Sequence, residues 1–323
     1  MKKSIFYRSF TIIVAIIVKA SYTEAMARTP QTLNQISALR ERYYKALPGK
    51  ESLIKNINEA EIPEHVYNSN AIENSTLTLE ETEKILLQID LARFVNEREL
   101  FEAKNLARVM EYFEKKAKEA ELSLSLMLFL HTMLIANIRD EIAGRFRKAG
   151  EWVRVGTHIG ADPNDIEPLL TDMLAAYNAQ KHTHIVERIA RLHLAFENVH
   201  PFCDGNGRIG RVINNFELIR EGYVPINIAF ADRARYYEAF KEYEEKKISK
   251  IMEEIIGRAL TNSYHKRLAY MEGQKVVLLR EYAKTSKQSY SNLLNKADRQ
   301  TIPAFREKGV WKIPENFKYL ERK

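Results

Sequence analysis

The apolar residues of this chain recur at three- and four-residue steps, and this spacing constrains the fold more than any other feature. Ile185, Ile189, Leu192 and Phe196, for example, fall along one side of a helix. The chain has only 12 Gly and 9 Pro in 323 residues, so few positions would interrupt such helices. We therefore predict a mainly α-helical fold.

The same pattern predicts where the individual helices lie. Pro63 is expected to separate a helix at 52–57 from a short one at 64–74. Thr78 followed by Glu81 has the spacing of a capping box, which predicts a helix start. Further helices are predicted at 37–47, 95–120, 123–138, 165–180, 183–199 and 207–221. Between them, positions 151–163 alternate and are β-branched, which predicts a pair of strands.

Positive charge is concentrated at the C-terminal end. Residues 262–323 contain 14 Lys and Arg against 6 Asp and Glu, a sum of +8, whereas the whole chain has a net charge of +7. Such a tail is expected to meet a polyanion, with nucleic acid the first candidate, although an ordinary solvated surface has the same composition. We place the boundary between the helical body and this tail within 262–274.

The N-terminal end has two interpretations. Basic residues precede an apolar run at 10–18, and 25–27 resembles a small-residue cleavage site, as in a secretory signal peptide. The run is too short for a membrane span, which needs about 20 apolar residues. Alternatively, Met26 is the true start of a cytoplasmic chain, and 1–27 is a mis-assigned extension.

A glycine-containing segment, Asp-Gly-Asn-Gly-Arg, directly precedes a predicted helix start. Gly205 and Gly207 allow the backbone N–H groups to turn toward an anion, and the helix N-terminus adds partial positive charge. Arg208 and Arg211 lie three residues apart on the first turn, where both can reach phosphate. The segment therefore predicts a phosphate-binding loop.

Two further residues of this loop supply chemistry. Asp204 is its one acidic residue and is a candidate ligand of Mg²⁺, which typically binds one or two carboxylates together with substrate phosphates. His200 ends the preceding helix and is a candidate general base, because imidazole titrates near neutral pH. An isolated turn or a single histidine is usually structural, but their combination within twelve residues is uncommon.

The run His-Pro-Phe-Cys-Asp-Gly-Asn-Gly-Arg-Ile-Gly-Arg, at 200–211, resembles the signature of the Fic family of protein adenylyltransferases. The resemblance extends from about residue 63 to 243. It implies an all-α Fic bundle with an inserted β-hairpin, the flap, that aligns the target backbone. The flap positions are Val155, Gly156, Thr157 and His158.

The resemblance also implies a role for each loop residue. His200 would deprotonate a Ser, Thr or Tyr hydroxyl of a target protein, and Asp204 would hold Mg²⁺. The nucleotide ATP would be bound by Gly205, Asn206, Gly207, Arg208 and Arg211, with Tyr236 and Phe240 near the adenine. Asn206 would touch the α-phosphate and Arg211 the γ-phosphate. Phe202 is expected to be a core anchor.

A second motif, Ser-Asn-Ala-Ile-Glu-Asn at 69–74, resembles the inhibitory helix of the same family. In this interpretation Ser69 and Glu73 belong to a helix at about 64–74, and Glu73 pairs with Arg211. That pairing would remove the γ-phosphate clamp and leave ATP in an unproductive pose. Family members in which this glutamate assists removal of AMP leave the direction of the reaction open.

The basic tail resembles an excisionase-like winged helix-turn-helix over about 45 residues. Two short helical patterns precede a small hairpin, for which Leu293, Ile302 and Trp311 are expected to form the core. The candidate DNA-facing residues are Lys287, Ser291, Asn292, Lys296 and Arg299, with Arg306 and Lys308 at the wing.

The chain is thus interpreted as an N-terminal extension at 1–27, a Fic domain at 28–261 and a helix-turn-helix-like domain at 268–323. Its predicted activity is transfer of AMP from Mg-ATP to a protein hydroxyl in the cytoplasm, with a homodimer also considered. The alternatives are a DNA-binding regulator that modifies itself or de-AMPylates a partner, and a zinc hydrolase. The single Cys203 excludes an internal disulfide framework and any cysteine-based structural zinc site, and the histidines lack an HExxH spacing.

Overall fold

The computed structural model describes residues 32–155 and 158–318. The N-terminal segment 1–27 and the flap residues Gly156 and Thr157 therefore lie outside the described residues. Within the described ranges the chain is mainly helical, as predicted, and none of these helices is both long and apolar enough to cross a membrane. The helices of the body are α1 (32–46), α2 (Glu51–Ile72), α3 (Leu79–Leu86), α4 (Glu97–Lys116), α5 (Leu124–Ile135), α6 (Ile166–Ala179), α7 (Ile185–Val199), α8 (Asn206–Arg220), α9 (Arg233–Lys246) and α10 (Lys250–Met271).

The predicted break at Pro63 is wrong. Helix α2 continues through Pro63 and ends at Ile72, so the helix that includes Ser69 is much longer than the predicted 64–74. Proline in a helix interior removes one hydrogen bond. Apolar residues on both sides of Pro63, among them Ile57 and Val66, are buried in the same core, and this packing outweighs the local loss.

Helices α7 and α8 form the centre of the body. Helix α7 packs against α6, α8, α9 and α10, while α8 also packs against α4 and α5. The predicted apolar stripe of α7 is buried, with Ile189 and Phe196 fully enclosed. Because both helices are held by neighbours on several sides, the short loop that joins them is fixed at one end of the bundle.

Two further body features agree with the sequence prediction. Helix α3 begins with a capping box in which Thr78 and Glu81 bond reciprocally. A short antiparallel hairpin links β1 (Arg154–Val155) and β2 (His158–Ile159). This hairpin is the predicted flap, reduced to two residues in each strand.

The C-terminal unit (residues 276–318) follows α10 and has an apolar cluster of its own. It contains β3 (Val276–Leu278), α11 (Leu279–Thr285), α12 (Tyr290–Asp298), β4 (Phe305–Glu307) and β5 (Val310–Pro314). The three strands form an antiparallel sheet in the order β3-β5-β4. Leu293 and Ile302 are buried and Trp311 packs against them, as predicted. Since α10 continues to Met271, most of the predicted boundary region is helical.

Candidate active site

The loop between α7 and α8 reverses the chain within six residues. His200 caps α7 in a left-handed conformation (φ 51°), and Gly205 adopts φ 82° directly before α8 begins at Asn206. A side chain at Gly205 would be strained there and would also meet Leu134 and Ile135 at 3.1 Å. The reversal therefore depends on glycine at this position.

Two residues fix the shape of this loop. Phe202 is fully buried, and its ring stacks on the imidazole of His131 with 3.8 Å between centroids. The Asn206 side chain accepts from the Phe202 N–H and donates to the Phe202 carbonyl, both at 2.8 Å. Because the Asn206 amide is engaged in this way, the group of Asn206 that remains available to an anion is its backbone N–H in the first turn of α8.

A cleft of about 640 Å³ opens above the loop. Its lining brings together His200, Asp204, the segment Gly205–Arg208 and, on the opposite side, Tyr236 and Phe240 of α9. The flap residues Val155 and His158 line the same cleft. Residues predicted to act on the base, the phosphates, the nucleobase and the target backbone are therefore neighbours in one cavity.

Asp204 is held by two arginines in a closed ring of alternating charges. Arg98 of α4 contacts it at 2.5 Å and Arg208 at 3.2 Å, while Glu102 contacts Arg98 at 3.0 Å and Arg208 at 3.1 Å. Burial alone would raise the pKa of the Asp204 carboxyl, but Arg208 and Arg98 lower it below its ordinary value. Asp204 is therefore a carboxylate at neutral pH.

Arg211 is bound by the end of α2. Its guanidinium donates to the Ser69 hydroxyl, the Ser69 carbonyl and Glu73 Oε1, each at 2.9 Å, and to the Tyr236 hydroxyl at 3.1 Å. Glu73 and Arg211 are separated by 138 residues in the chain. Both residues of the predicted inhibitory motif thus meet the arginine that the sequence assigned to the γ-phosphate.

The carboxylate of Glu73 occupies the mouth of the phosphate loop. A Cβ placed on Gly207 would lie 2.2 Å from Glu73 Oε1 and 3.2 Å from Arg211 Nη1. Glu73 lines the cleft, whereas Arg211 lines a small cavity of about 30 Å³ behind the loop. An anionic group of the chain itself therefore covers the second arginine.

Comparison with known proteins agrees with this geometry. Residues 121–218 match the model of the Fic/DOC family. The described chain also superposes on a Fic domain containing signaling protein from Bacteroides thetaiotaomicron, with a TM-score of 0.67, 24% identity and coverage of 74% of this chain and 97% of that one.

A Fic/DOC family domain therefore lies at residues 121–218.

Curated proteins similar to this chain include the Protein adenylyltransferase Fic of Drosophila willistoni, 29% identical over 243 residues, which cover 70% of this chain and 48% of the relative. The Drosophila melanogaster protein of the same name is 28% identical with the same coverage. The chain therefore spans about half the length of the curated relatives it matches. Fic-1 (134–508) from C. elegans shares the fold, with a TM-score of 0.63, 23% identity and coverage of 76% of this chain and 74% of that one.

The surroundings of the loop between α7 and α8 keep His200 neutral. Burial lowers the pKa of His200 to about 4, although a hydrogen bond to the main-chain carbonyl of Glu197 opposes the shift. A neutral imidazole has a lone pair on one of its two ring nitrogens. His200 is therefore able to accept a proton at neutral pH.

A buried polar cluster behind Arg211 is completed by residues of α7 and α9. The hydroxyl of Tyr236 lies 2.7 Å from Nε2 of His193, and both side chains are buried. Glu197 is buried beside them, and burial, reinforced by Glu73, raises its pKa to about 8. Tyr236 thus lines the predicted adenine side of the cleft and also holds Arg211.

The flap is tied to the helical body through His158. Its Nε2–H donates to the main-chain oxygen of Asn198 at 2.8 Å, and its Nδ1 lies 3.5 Å from Glu244 of α9. Val155, on the facing strand, is exposed. The described part of the flap therefore presents an exposed apolar side chain beside the cleft.

The predicted DNA-facing residues lie on α12 and in the turns directly before and after it. Lys287, Ser291, Asn292 and Arg299 are exposed, and Lys296 is half-buried. The predicted wing residues behave differently, because Lys308 pairs with Glu83 of α3 at 2.8 Å and the main chain of Arg306 bonds to Asn262. The wing turn therefore lies against the helical body.

Sequence reasoning missed the charges that surround Asp204 and Arg211 from distant helices. Arg98 and Glu102 form an i,i+4 pair on α4, which is ordinary on any exposed helix and gives no sign of contact with the loop. Glu197 could have been noticed as a charged residue within an otherwise buried stripe. Its partners, however, are set by packing alone.

Proposed function

We propose that this Fic protein transfers AMP from Mg-ATP to a Ser, Thr or Tyr hydroxyl of a target protein and that Glu73 restrains the reaction. Relatives named protein adenylyltransferase support the reaction class. The observation that carries the proposal is the single cleft that brings His200 together with Asp204, the glycine turn and Arg208.

His200 would activate the nucleophile, which is a hydroxyl of the target protein. The target hydroxyl would attack the α-phosphorus while a ring nitrogen of His200 takes its proton, and the bond to the pyrophosphate leaving group breaks. Since burial keeps His200 neutral, it has the lone pair that this step requires. The exposed strand of the flap that contains Val155 is the surface along which the target segment would align.

The phosphates would be bound by the start of α8. Gly205, in the αL conformation, begins the first turn of this helix. The backbone N–H groups of that turn and the Arg208 guanidinium lie on the same side of the cleft. Mg²⁺ fits the ionised Asp204, since this ion binds through one or two carboxylates plus phosphate oxygens, and it would neutralise phosphate charge. Arg98 and Arg208 would have to share that carboxylate with the ion.

The restraint would come from the Glu73 carboxylate. It binds Arg211 and lies against Gly207, so a γ-phosphate would compete with it for the same arginine. Binding of ATP with the γ-phosphate displaced would leave the α-phosphate out of line with the attacking hydroxyl. Release of Glu73 is therefore the condition for transfer.

The test is intact-mass analysis of Glu73→Gly after incubation with Mg-ATP. We expect added AMP on the variant, and no addition on the double variant Glu73→Gly/His200→Ala. Parallel incubations with GTP, CTP and UTP measure the nucleotide preference. Absence of any nucleotide adduct, on the protein itself and on proteins of a cell extract, would refute transferase activity.

A second function, DNA binding by the C-terminal unit, is favoured by one observation. Lys287, Ser291, Asn292 and Arg299 are exposed on and beside α12, which follows α11 as a recognition helix would. Mobility shifts across a salt series would test it. We expect affinity to fall steeply with salt, and Arg299→Ala to weaken binding while Lys275→Ala, outside α12, does not.

A further inference from the structure

The strands β4 and β5 form a hairpin, which we call the wing. The tip of the wing lies against the inhibitory helix α2. The turn between β4 and β5 consists of Lys308 and Gly309, both with positive φ. The Glu64 carboxylate of α2 lies beside the main-chain N–H groups of both residues, which oppose the rise in its pKa caused by burial. Lys308 also pairs with Glu83 of α3 at 2.8 Å, so one turn of the wing binds two helices of the body.

The base of the wing is connected to α2 by a buried network of ion pairs. Glu307 of β4 contacts Lys266 of α10 at 2.7 Å, and Lys266 contacts Glu61 of α2 at 3.1 Å. Arg267 adds a further ion pair to this network, with a 2.6 Å contact to Glu61. These side chains are largely buried, so the attraction between their charges is only weakly screened.

The two contacts fall on either side of Pro63. Glu61 and Glu64 flank this residue, where α2 lacks a backbone hydrogen bond and is easiest to bend. Beyond it lies the helical stretch that ends in Ser69 and Glu73, the partners of Arg211. The wing therefore binds α2 across its weakest turn, about two to three turns before the residues that cover the active site.

The contacts between the wing and α2 are polar. A cavity of about 530 Å³ lies between them, lined by Glu64 and His65 of α2 and by Arg306 and Trp311 of the wing. The apolar cluster of the C-terminal unit is distinct from that of the body. Loss of the tip contacts thus leaves both cores intact.

We propose that the wing is a clamp that keeps the inhibitory end of α2 seated on Arg211. This inference rests on the proposed transferase function for its activity readout only. Drawing the wing tip away from Glu64 and Glu83 loosens α2 beyond Pro63, frees Arg211 from Glu73 and raises AMP transfer. A ligand that engages the C-terminal unit and shifts its wing would act as an activator.

Charge reversal across the tip tests the clamp. Lys308→Glu and Glu83→Lys each place like charges together, and the double variant restores an ion pair of opposite direction. Hydrogen–deuterium exchange of the peptide covering 64–74 is the first readout. The control is Lys275→Glu, because Lys275 lies directly before the C-terminal unit and pairs with Glu315 of that unit, away from α2. We expect faster exchange in both single variants, recovery in the double variant and no change in the control.

The second readout is the rate of AMP incorporation. We expect each single variant to exceed the wild type by about two- to fivefold, the range for one partly exposed ion pair, and to add nothing in the Glu73→Gly background. Unchanged exchange at 64–74 in Glu83→Lys, which leaves the C-terminal unit unaltered, would overturn the clamp. Inactivity of Glu73→Gly would instead overturn the transferase function, while the exchange data would still decide the clamp.

Discussion

Replacement of Glu73 is the most direct perturbation of the proposed restraint. Arg211 donates four hydrogen bonds, of which one reaches the Glu73 carboxylate and two reach Ser69. Glu73→Gly therefore removes a single charged partner and leaves Arg211 anchored through Ser69 and Tyr236. The substitution also vacates the space beside Gly207 that the carboxylate now fills.

The size of the effect follows from that one contact. A hydrogen bond between charged groups contributes about 1.5–3 kcal/mol. The Glu73 side chain is 34% exposed, so solvent screening reduces this to about 1–2 kcal/mol. Released restraint of that size corresponds to an increase of about 5- to 30-fold in the population able to bind the γ-phosphate productively.

The assay is the initial rate of incorporation of labelled AMP at a fixed concentration of Mg-ATP. Glu73→Gly should accelerate it by about 5- to 30-fold, as estimated from the contact. Glu73→Gln should give a smaller increase. The amide oxygen still accepts a hydrogen bond from Arg211, and glutamine fills the same space beside Gly207 as glutamate. Glu59→Gln, on the same helix and paired with Lys55 at 3.7 Å, is the control. A rate for Glu73→Gly within about twofold of the wild type, or a larger gain for Glu73→Gln, would refute the reasoning.

Three further predictions follow from the charges around the cleft. Because burial lowers the pKa of His200 to about 4, the transfer rate of Glu73→Gly should stay level from pH 8 to about 5.5 and fall only as the base is protonated near pH 4; a midpoint near 6.5 in the pH–rate profile would contradict this. Glu197 has a pKa raised to about 8, so the folded state binds more protons than the unfolded state, and stability is lost as pH rises from about 4.5 through 8. Glu197→Gln should therefore gain melting temperature relative to the wild type between pH 6 and 9, as measured by calorimetry, and a constant difference would count against it. Arg98→Gln should lower the Mg²⁺ concentration for half-maximal binding of a fluorescent ATP analogue by about two- to fivefold, since the ion no longer competes with Arg98 for Asp204; an unchanged or higher requirement would mean that Arg98 does not compete.

The sequence determined the local features of this protein. The helical content followed from the apolar spacing, and the capping box at Thr78 followed from two residues three positions apart. The loop at 200–211 is also local, since its base, acid, glycines and arginines lie within twelve positions. A turn of this length between two helices cannot separate these groups widely, so their proximity was predictable before any packing was known.

The break predicted at Pro63 marks the limit of local reasoning. A proline in a helix removes one hydrogen bond and introduces a steric clash. The sequence shows this cost, but it does not show the packing that offsets it. The buried residues on both sides of Pro63 supply the compensation, and their burial depends on helices far away in the chain. Tertiary packing therefore decided that α2 is one helix.

Only the tertiary structure decided which charges meet. The contacts of Asp204 with Arg98, of Arg211 with Glu73 and of Glu64 with the wing turn join segments more than a hundred residues apart in the chain. The strength of such pairs depends on their separation and on burial, and neither is written in local sequence. The resemblance to Fic proteins anticipated the Glu73 pair, whereas the ring at Asp204 and the docking of the wing on α2 became visible only when the helices were assembled.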